Sequence, residues 1–253
     1  MEITWQMLLT VCPLAMLAGF IDSIAGGGGL ISLPAYYLAG LPPVLAAGTN
    51  KLSASLGTVV ATTRYFIARR IMIKTGLFAV AGALPGSYLG TQLLQIIPEH
   101  IMRIVVIGVI PIVALIVLRR RESLTASQRI PDSLVWIVSL SIGFVIGFYD
   151  GLVGPGTGTF LILLFTLILG MEAVTASGTA KLVNLASNVA SLITLLLHGK
   201  VLYLLGLPAA VCAMAGGYLG ASMTIKRGGG FIRKMLIVVL ALLLANMLLD
   251  VVT

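Results

Sequence analysis

Four charged residues stand inside or beside long apolar stretches, at matched places in the two halves of the chain: Asp22 with Asp150, and Lys51 with Lys181. A charge at the centre of a membrane helix costs about 2.5–3.5 kcal/mol on insertion scales, so an ionisable residue there reads by default as functional. Lysine carries a compact point charge that suits an oxyanion; the competing reading is a stem that snorkels to an interface from a helix end. Thr49, Asn50, Thr179 and Asn184 flank the lysines and are hydrogen-bond donors for the same ligand. The aspartates have three open roles: pairing with the lysines, holding a helix end, or carrying a coupling proton or sodium ion.

A glycine-rich break follows each aspartate, with Gly26, Gly27, Gly28 and Gly29 in the first half and Gly154, Gly156 and Gly158 in the second. Glycines that interrupt a membrane helix free backbone groups that must line a cavity or be buried in protein. A half-helix beginning after such a break aims its N–H groups and dipole at anions. The competing reading, close helix packing, is weakened because matched breaks each precede a short segment. Together these residues form the candidate substrate-binding set, with Asp22 and Asp150 in a coupling or structural role.

The elements that must position them are membrane helices. The chain is 59% hydrophobic and 9% charged, against about 25% charged in soluble domains. Apolar runs fall at 3–24, 28–40, 44–66, 75–97, 101–118, 134–151, 156–170, 173–197, 202–224 and 231–252. Most have the length of an α-helix crossing a ~30 Å hydrocarbon core; 28–40 and 156–170 are short. The opening MEITWQMLLT lacks a basic region and a small-residue cleavage pattern, and so reads as a membrane segment rather than a removable leader. Cys12 and Cys212 read as buried free thiols.

The halves repeat each other. GFIDSIAGGGGLISLP at Gly19 matches GFYDGLVGPGTGTFLI at Gly147; GTNKL at Gly48 matches GTAKL at Gly178; GSYLG at Gly86 matches GGYLG at Gly216. Basic residues predict their orientation. They cluster at Arg64, Arg69, Arg70 and Lys74 in the first half, but one loop later, at Lys226, Arg227, Arg233 and Lys234, in the second. The positive-inside rule then requires inverted repeats. The expected fold is an all-α polytopic membrane protein of two inverted five-segment repeats with glycine-broken helices. Residues 1–118 form the first repeat, 119–132 a cytoplasmic linker and 133–253 the second repeat. Both termini fall on the non-cytoplasmic side. An eight-segment version with re-entrant short runs makes the repeats parallel and fits the charges less well.

The net charge of +8 lies between apolar runs and reads as a set of topology determinants rather than a nucleic-acid footprint. The glycine runs lack the Lys-Ser/Thr end of a phosphate-binding loop and any βαβ context. No Cys/His cluster implies a metal, no cofactor is expected, and no nucleophile with a matched base implies an enzyme.

The paired motifs AGFIDSIAGGGGLISLP with TNKL, and GFYDGLVGPGTGTF with TAKL, resemble the sulfite exporter TauE/SafE family over nearly the whole chain. That resemblance implies a multipass protein of the bacterial inner membrane that moves sulfur-containing anions such as sulfite, sulfonates and sulfoacetate. It points to Asp22, Gly26–Gly29, Asn50 and Lys51, and to Asp150, Gly154, Gly156 and Lys181. Ala180 stands opposite Asn50, and Pro155 interrupts the second glycine run, so a fully symmetric site is not expected. The expected function is an exporter working by alternating access around a midplane site; the alternatives are an anion channel of the same architecture and a non-transporting membrane assembly protein. The expected partners are a small anion, the lipid bilayer and a coupling proton or sodium ion; a homodimer is compatible with this reading and not specified by it.

Overall fold

The computed structural model describes residues 3–97 and 130–252, with side chains described as far as residue 241, residue 240 excepted. The fifth apolar run (101–118) and nearly all of the expected linker lie outside the described residues. Among those described there are nine α-helices: α1 (Trp5–Ala25), α2 (Gly29–Leu38), α3 (Pro43–Ile67), α4 (Ile73–Ile96), α5 (Val135–Leu152), α6 (Thr157–Leu167), α7 (Ala173–Leu197), α8 (Tyr203–Arg227) and α9 (Gly229–Val252). Each boundary has a local cause. The Thr4 side chain accepts from the Met7 N–H at the start of α1, and Pro43 opens α3 at a position where its missing N–H costs nothing. The nine apolar runs that fall on described residues correspond to these helices within a few residues.

Among the described residues five helices are long and apolar enough to cross a membrane: Trp5–Ala25, Ile73–Ile96, Asp132–Leu152 (α5 with its preceding 3₁₀ turn), Ala173–Leu197 and Tyr203–Arg227. The chain is thus a multi-pass membrane protein. α3 has 25 residues, yet its buried face carries Asn50, Lys51, Ser53, Ser55, Thr58 and Thr62. That face is shielded by neighbouring helices, where polar side chains in a membrane helix belong, while Val59, Phe66 and Ile67 of α3 point outward. α2 and α6, of 10 and 11 residues, rise only about 15–17 Å and start directly after the two glycine breaks. Cys12 and Cys212 are free, adjacent and only half-buried.

Small residues set how closely the long helices pack. A Cβ on Gly82, Gly86 or Gly90 of α4 would run into the α5 backbone at Leu140, Phe144 and Phe148. A Cβ on Gly143, Gly147 or Gly151 of α5 would run into α4 at Ala79, Ala83 and Ser87. Without a hydrophobic driving force between helices in lipid, such close backbone approach is what holds them together. α1 and α8 repeat the arrangement, with Gly216 against Met16 and Gly220 against Phe20.

The contacts also give helix directions. Between α4 and α5, and between α1 and α8, residue numbers rise together, so each pair is parallel. α3 and α8 are parallel too, through Thr49–Leu202, Gly57–Ala213 and Arg64–Ser222. α4 and α7 are parallel through Gly76–Thr179 and Thr91–Ser191. α3 and α7 run oppositely: Tyr65 meets Gly178 while Lys51 meets Asn188. The ends of α3 and α8, with Arg64, Arg69 and Arg70 near Lys226 and Arg227 in sequence register, therefore lie at one end of the bundle. Arg64 there donates to Ser222 and stacks 4.8 Å above the ring of Tyr218.

Candidate functional site

The two glycine breaks touch each other at the centre of the protein. A Cβ on Gly26 would collide with the backbone of Gly158 and Thr159, and one on Gly29 would press on Pro155. Gly26 itself has φ +75° and Gly156, the residue before α6, has φ +87°; both are left-handed conformations that cost other residues strain. The carbonyls stranded where α1 ends are buried and each receives a hydroxyl from a different helix. Tyr65 of α3 donates to Ser23 O at 2.9 Å, Ser177 of α7 to Ile24 O at 2.6 Å, and Thr159 of α6 to Ala25 O at 2.8 Å. A helix end within apolar surroundings requires such partners.

Around this junction each lysine pairs with the aspartate of the other half. Lys51 Nζ lies 2.7 Å from Asp150 Oδ2 and also donates to Asp150 O at 3.0 Å and Asn188 Oδ1 at 2.9 Å. Lys181 Nζ lies 2.6 Å from Asp22 Oδ2. Lys181 is fully buried and Lys51 is 7% exposed, so neither snorkels. Each is the ninth residue of its 25-residue helix, about 12 Å along a rod of about 37 Å. Because α3 and α7 run oppositely, the two ammonium groups approach the centre from opposite ends. A buried pair broken by losing one partner costs about 3–5 kcal/mol, so these contacts also tie the halves together.

The pairs differ in their surroundings. Asp150 is buried and held from all sides, with Thr157 donating to Oδ1 at 2.9 Å and Ser187 to Oδ2 at 2.6 Å. Among the described residues the Asp22 carboxylate has, beyond Lys181, the Gly28 N–H at 3.3 Å as its one further hydrogen-bond partner, and the side chain is 21% exposed. It faces a cavity that opens to solvent. Asp22, Gly27, Gly28, Gly29, Asn50 and Lys51 line it from the first half, and Asp150, Gly154, Thr157, Gly158, Asn184 and Asn188 from the second.

The structure therefore gathers most of the residues singled out from sequence. Gly26 and Gly156 shape the breaks without lining the cavity, and Lys181 lies behind Asp22, with its Nζ 3.3 Å from where a Gly158 Cβ would stand. Asn50 Oδ1 is buried without a hydrogen-bond partner, so its amide is uncommitted. Thr49 and Thr179 do not come to the cavity. Thr49 Oγ1 donates to Leu45 O and accepts the Leu202 N–H before α8; Thr179 Oγ1 donates to Thr175 O and accepts the Met72 N–H before α4. Each threonine caps a neighbouring helix of the other half, a role that proximity in sequence to lysine hides. Sequence reasoning passed over Thr157, whose signal is its position as first residue of a half-helix seven residues after Asp150.

The family profile of the sulfite exporter TauE/SafE type matches residues 11–247. The chain belongs to the TauE/SafE family. Similar curated proteins include the "Probable membrane transporter protein YfcA" of Escherichia coli K12, 37% identical over 98% of this chain and 94% of its own length. A "Probable membrane transporter protein" of Haemophilus influenzae is 34% identical over 99% of this chain and 98% of its own. "Probable membrane transporter protein ORF9" of a Sinorhizobium species is 31% identical over 98% and 95%. No solved structure matches the chain. In this TauE/SafE chain the candidate site is electrically balanced: two ammonium groups face two carboxylates.

Proposed function

We propose that this protein is an inner-membrane transporter, working as an exporter, of small sulfur-containing anions such as sulfite or sulfonates, by alternating access around a midplane site. The observation that carries the reading is the pair of buried lysines held at matched depths across the junction of two glycine-broken helices, beside a cavity both halves line. The substrate class rests on the family. Since each lysine is already engaged by a carboxylate, an anion enters only by breaking an ion pair. That suits a carrier, which changes state in every cycle, better than a channel with a standing cationic path.

The repeats are read as inverted, five segments each. The support is the antiparallel course of the equivalent helices α3 and α7, together with the parallel pairs α1–α8 and α4–α5. Basic residues at the shared end of α3 and α8 support a cytoplasmic location for that end, with the start of α1 on the opposite side. A sided labelling test follows. In a chain whose Cys12 and Cys212 are replaced by serine, a membrane-impermeant thiol reagent added to intact cells modifies Lys200→Cys and leaves Gly230→Cys unmodified. Both positions are exposed. Labelling of both or of neither, or the reverse pattern, overturns the topology.

The function itself is tested in proteoliposomes. Loaded vesicles are expected to show saturating flux and counterflow of sulfite or sulfoacetate, against chloride as control. High, non-saturating conductance establishes the channel instead. Absence of both flux and counterflow from folded protein removes the sulfur-anion assignment.

A further inference from the structure

The two lysine–aspartate pairs occupy matched positions but are not equivalent. Asp150 is enclosed: it is 3% exposed and takes Lys51, Thr157 and Ser187 as side-chain partners. At the positions of the repeat corresponding to Thr157 and Ser187, the first half has Gly29 and Gly57, which have no hydroxyl. Asp22 consequently has Lys181 as its one side-chain partner and the Gly28 N–H at 3.3 Å, and it faces the cavity. Removing the carboxylate from Lys51 breaks two further hydrogen bonds; removing it from Lys181 breaks none from side chains.

We propose that Asp22 is the coupling residue: its carboxylate is the resident occupant of the Lys181 anion site, and it leaves that site protonated when a substrate anion enters. Lys51–Asp150 is the fixed tie between the halves. The inference rests on the anion-transport reading above and deepens it, naming a proton as the coupling ion and Asp22 as its carrier. The balance is simple. One proton from the side to which the cavity opens binds an Asp22 carboxylate oxygen, and the Lys181 ammonium, unchanged in charge, pairs with the incoming oxyanion. One anion therefore brings one proton. The other titratable groups on the cavity wall around Asp22 are, among the described residues, Lys51 of α3, Tyr37 of α2 and Asp150 of α5, and Tyr65 of α3 donates to the neighbouring Ser23 O. α6 and α8 contribute no titratable side chain to the cavity. Lys51 and Asp150 are held by each other and by Asn188, Thr157 and Ser187, so Asp22, with fewer partners and facing the cavity, is the carboxylate that can leave its lysine at least cost.

Because binding takes up a proton, raising the pH opposes it, and one proton per anion weakens binding about tenfold per pH unit. The test uses sulfoacetate and sulfate, whose charge does not change around neutral pH, added to the purified full-length protein in weak buffer. Calorimetry reads affinity, and a pH electrode reads proton uptake. For the wild type we expect about one proton taken up per anion bound and the tenfold slope. Asp22→Asn is expected to bind without proton uptake and with a flat pH profile, and Asp22→Glu to restore both. Asp150→Asn is expected to keep the slope, whatever it does to stability. Binding by the wild type without proton uptake, or uptake that survives in Asp22→Asn, overturns the inference and leaves the transport reading standing. If neither anion binds to folded wild-type protein, both fall together.

Discussion

Lys181→Met is expected to abolish saturable sulfite and sulfoacetate flux in proteoliposomes and to lower the heat resistance of the purified protein. Lys181 is fully buried and 2.6 Å from Asp22, so its removal leaves a carboxylate at the protein's centre without its cation. Breaking a buried pair on one side costs about 3–5 kcal/mol, a large share of the roughly 5–15 kcal/mol that holds a typical fold. Loss of flux alone would therefore be ambiguous. The double variant Lys181→Met with Asp22→Leu removes the unpaired charge as well, and is expected to recover heat resistance while remaining without flux. Transport by either variant would show that the pair is structural only, and would move the anion site elsewhere in the cavity.

Gly26→Ala is expected to be strongly damaging, because two separate costs fall on the same methyl. Its φ of +75° lies where an added methyl is strained, at a cost of about 1–3 kcal/mol. The methyl would also collide with the backbone of Gly158 and Thr159, and overpacking of this kind costs typically about 1–3 kcal/mol more. Neither obstacle is a flexible side chain that can step aside. The expected result is little or no monodisperse protein in fluorescence-detected size exclusion from detergent extracts. Gly230→Ala, where an added methyl meets open space, should behave as the parent chain. Equal behaviour of the two variants would mean that the two breaks are not packed on each other.

The pairing across halves explains why a duplicated chain keeps charged residues inside the membrane. A lysine facing an aspartate of its own half would hold that half together by itself. Here Lys51 is tied to Asp150 and Lys181 to Asp22, so any relative movement of the halves must deal with both bonds. Thr49 and Thr179 act in the same sense, each capping the helix start of the opposite half. The two halves are thus fastened to each other by polar contacts at the centre and by glycine-to-backbone packing along α1–α8 and α4–α5.

Much of this was legible before any coordinates. The surplus of apolar residues could be satisfied only by lipid, the duplication was written in the matched Asp, Gly and Lys positions, and the breaks announced themselves because glycine before a short apolar run leaves backbone groups that must be used. The sequence thus determined membrane, repeat and the residue types at the site, because each is a property of composition or of local spacing. It could not say with whom those residues pair. Asp22 and Lys181 are 159 residues apart, and nothing local distinguishes that partner from Lys51, which is far nearer in the chain. Nor could it separate Thr49 from Asn50: neighbours on a helix point about 100° apart, so one turns to the cavity and the other to the start of α8. Only the tertiary structure decided these matters, by setting α3 and α7 against each other in opposite directions and so bringing each lysine to the other half's carboxylate.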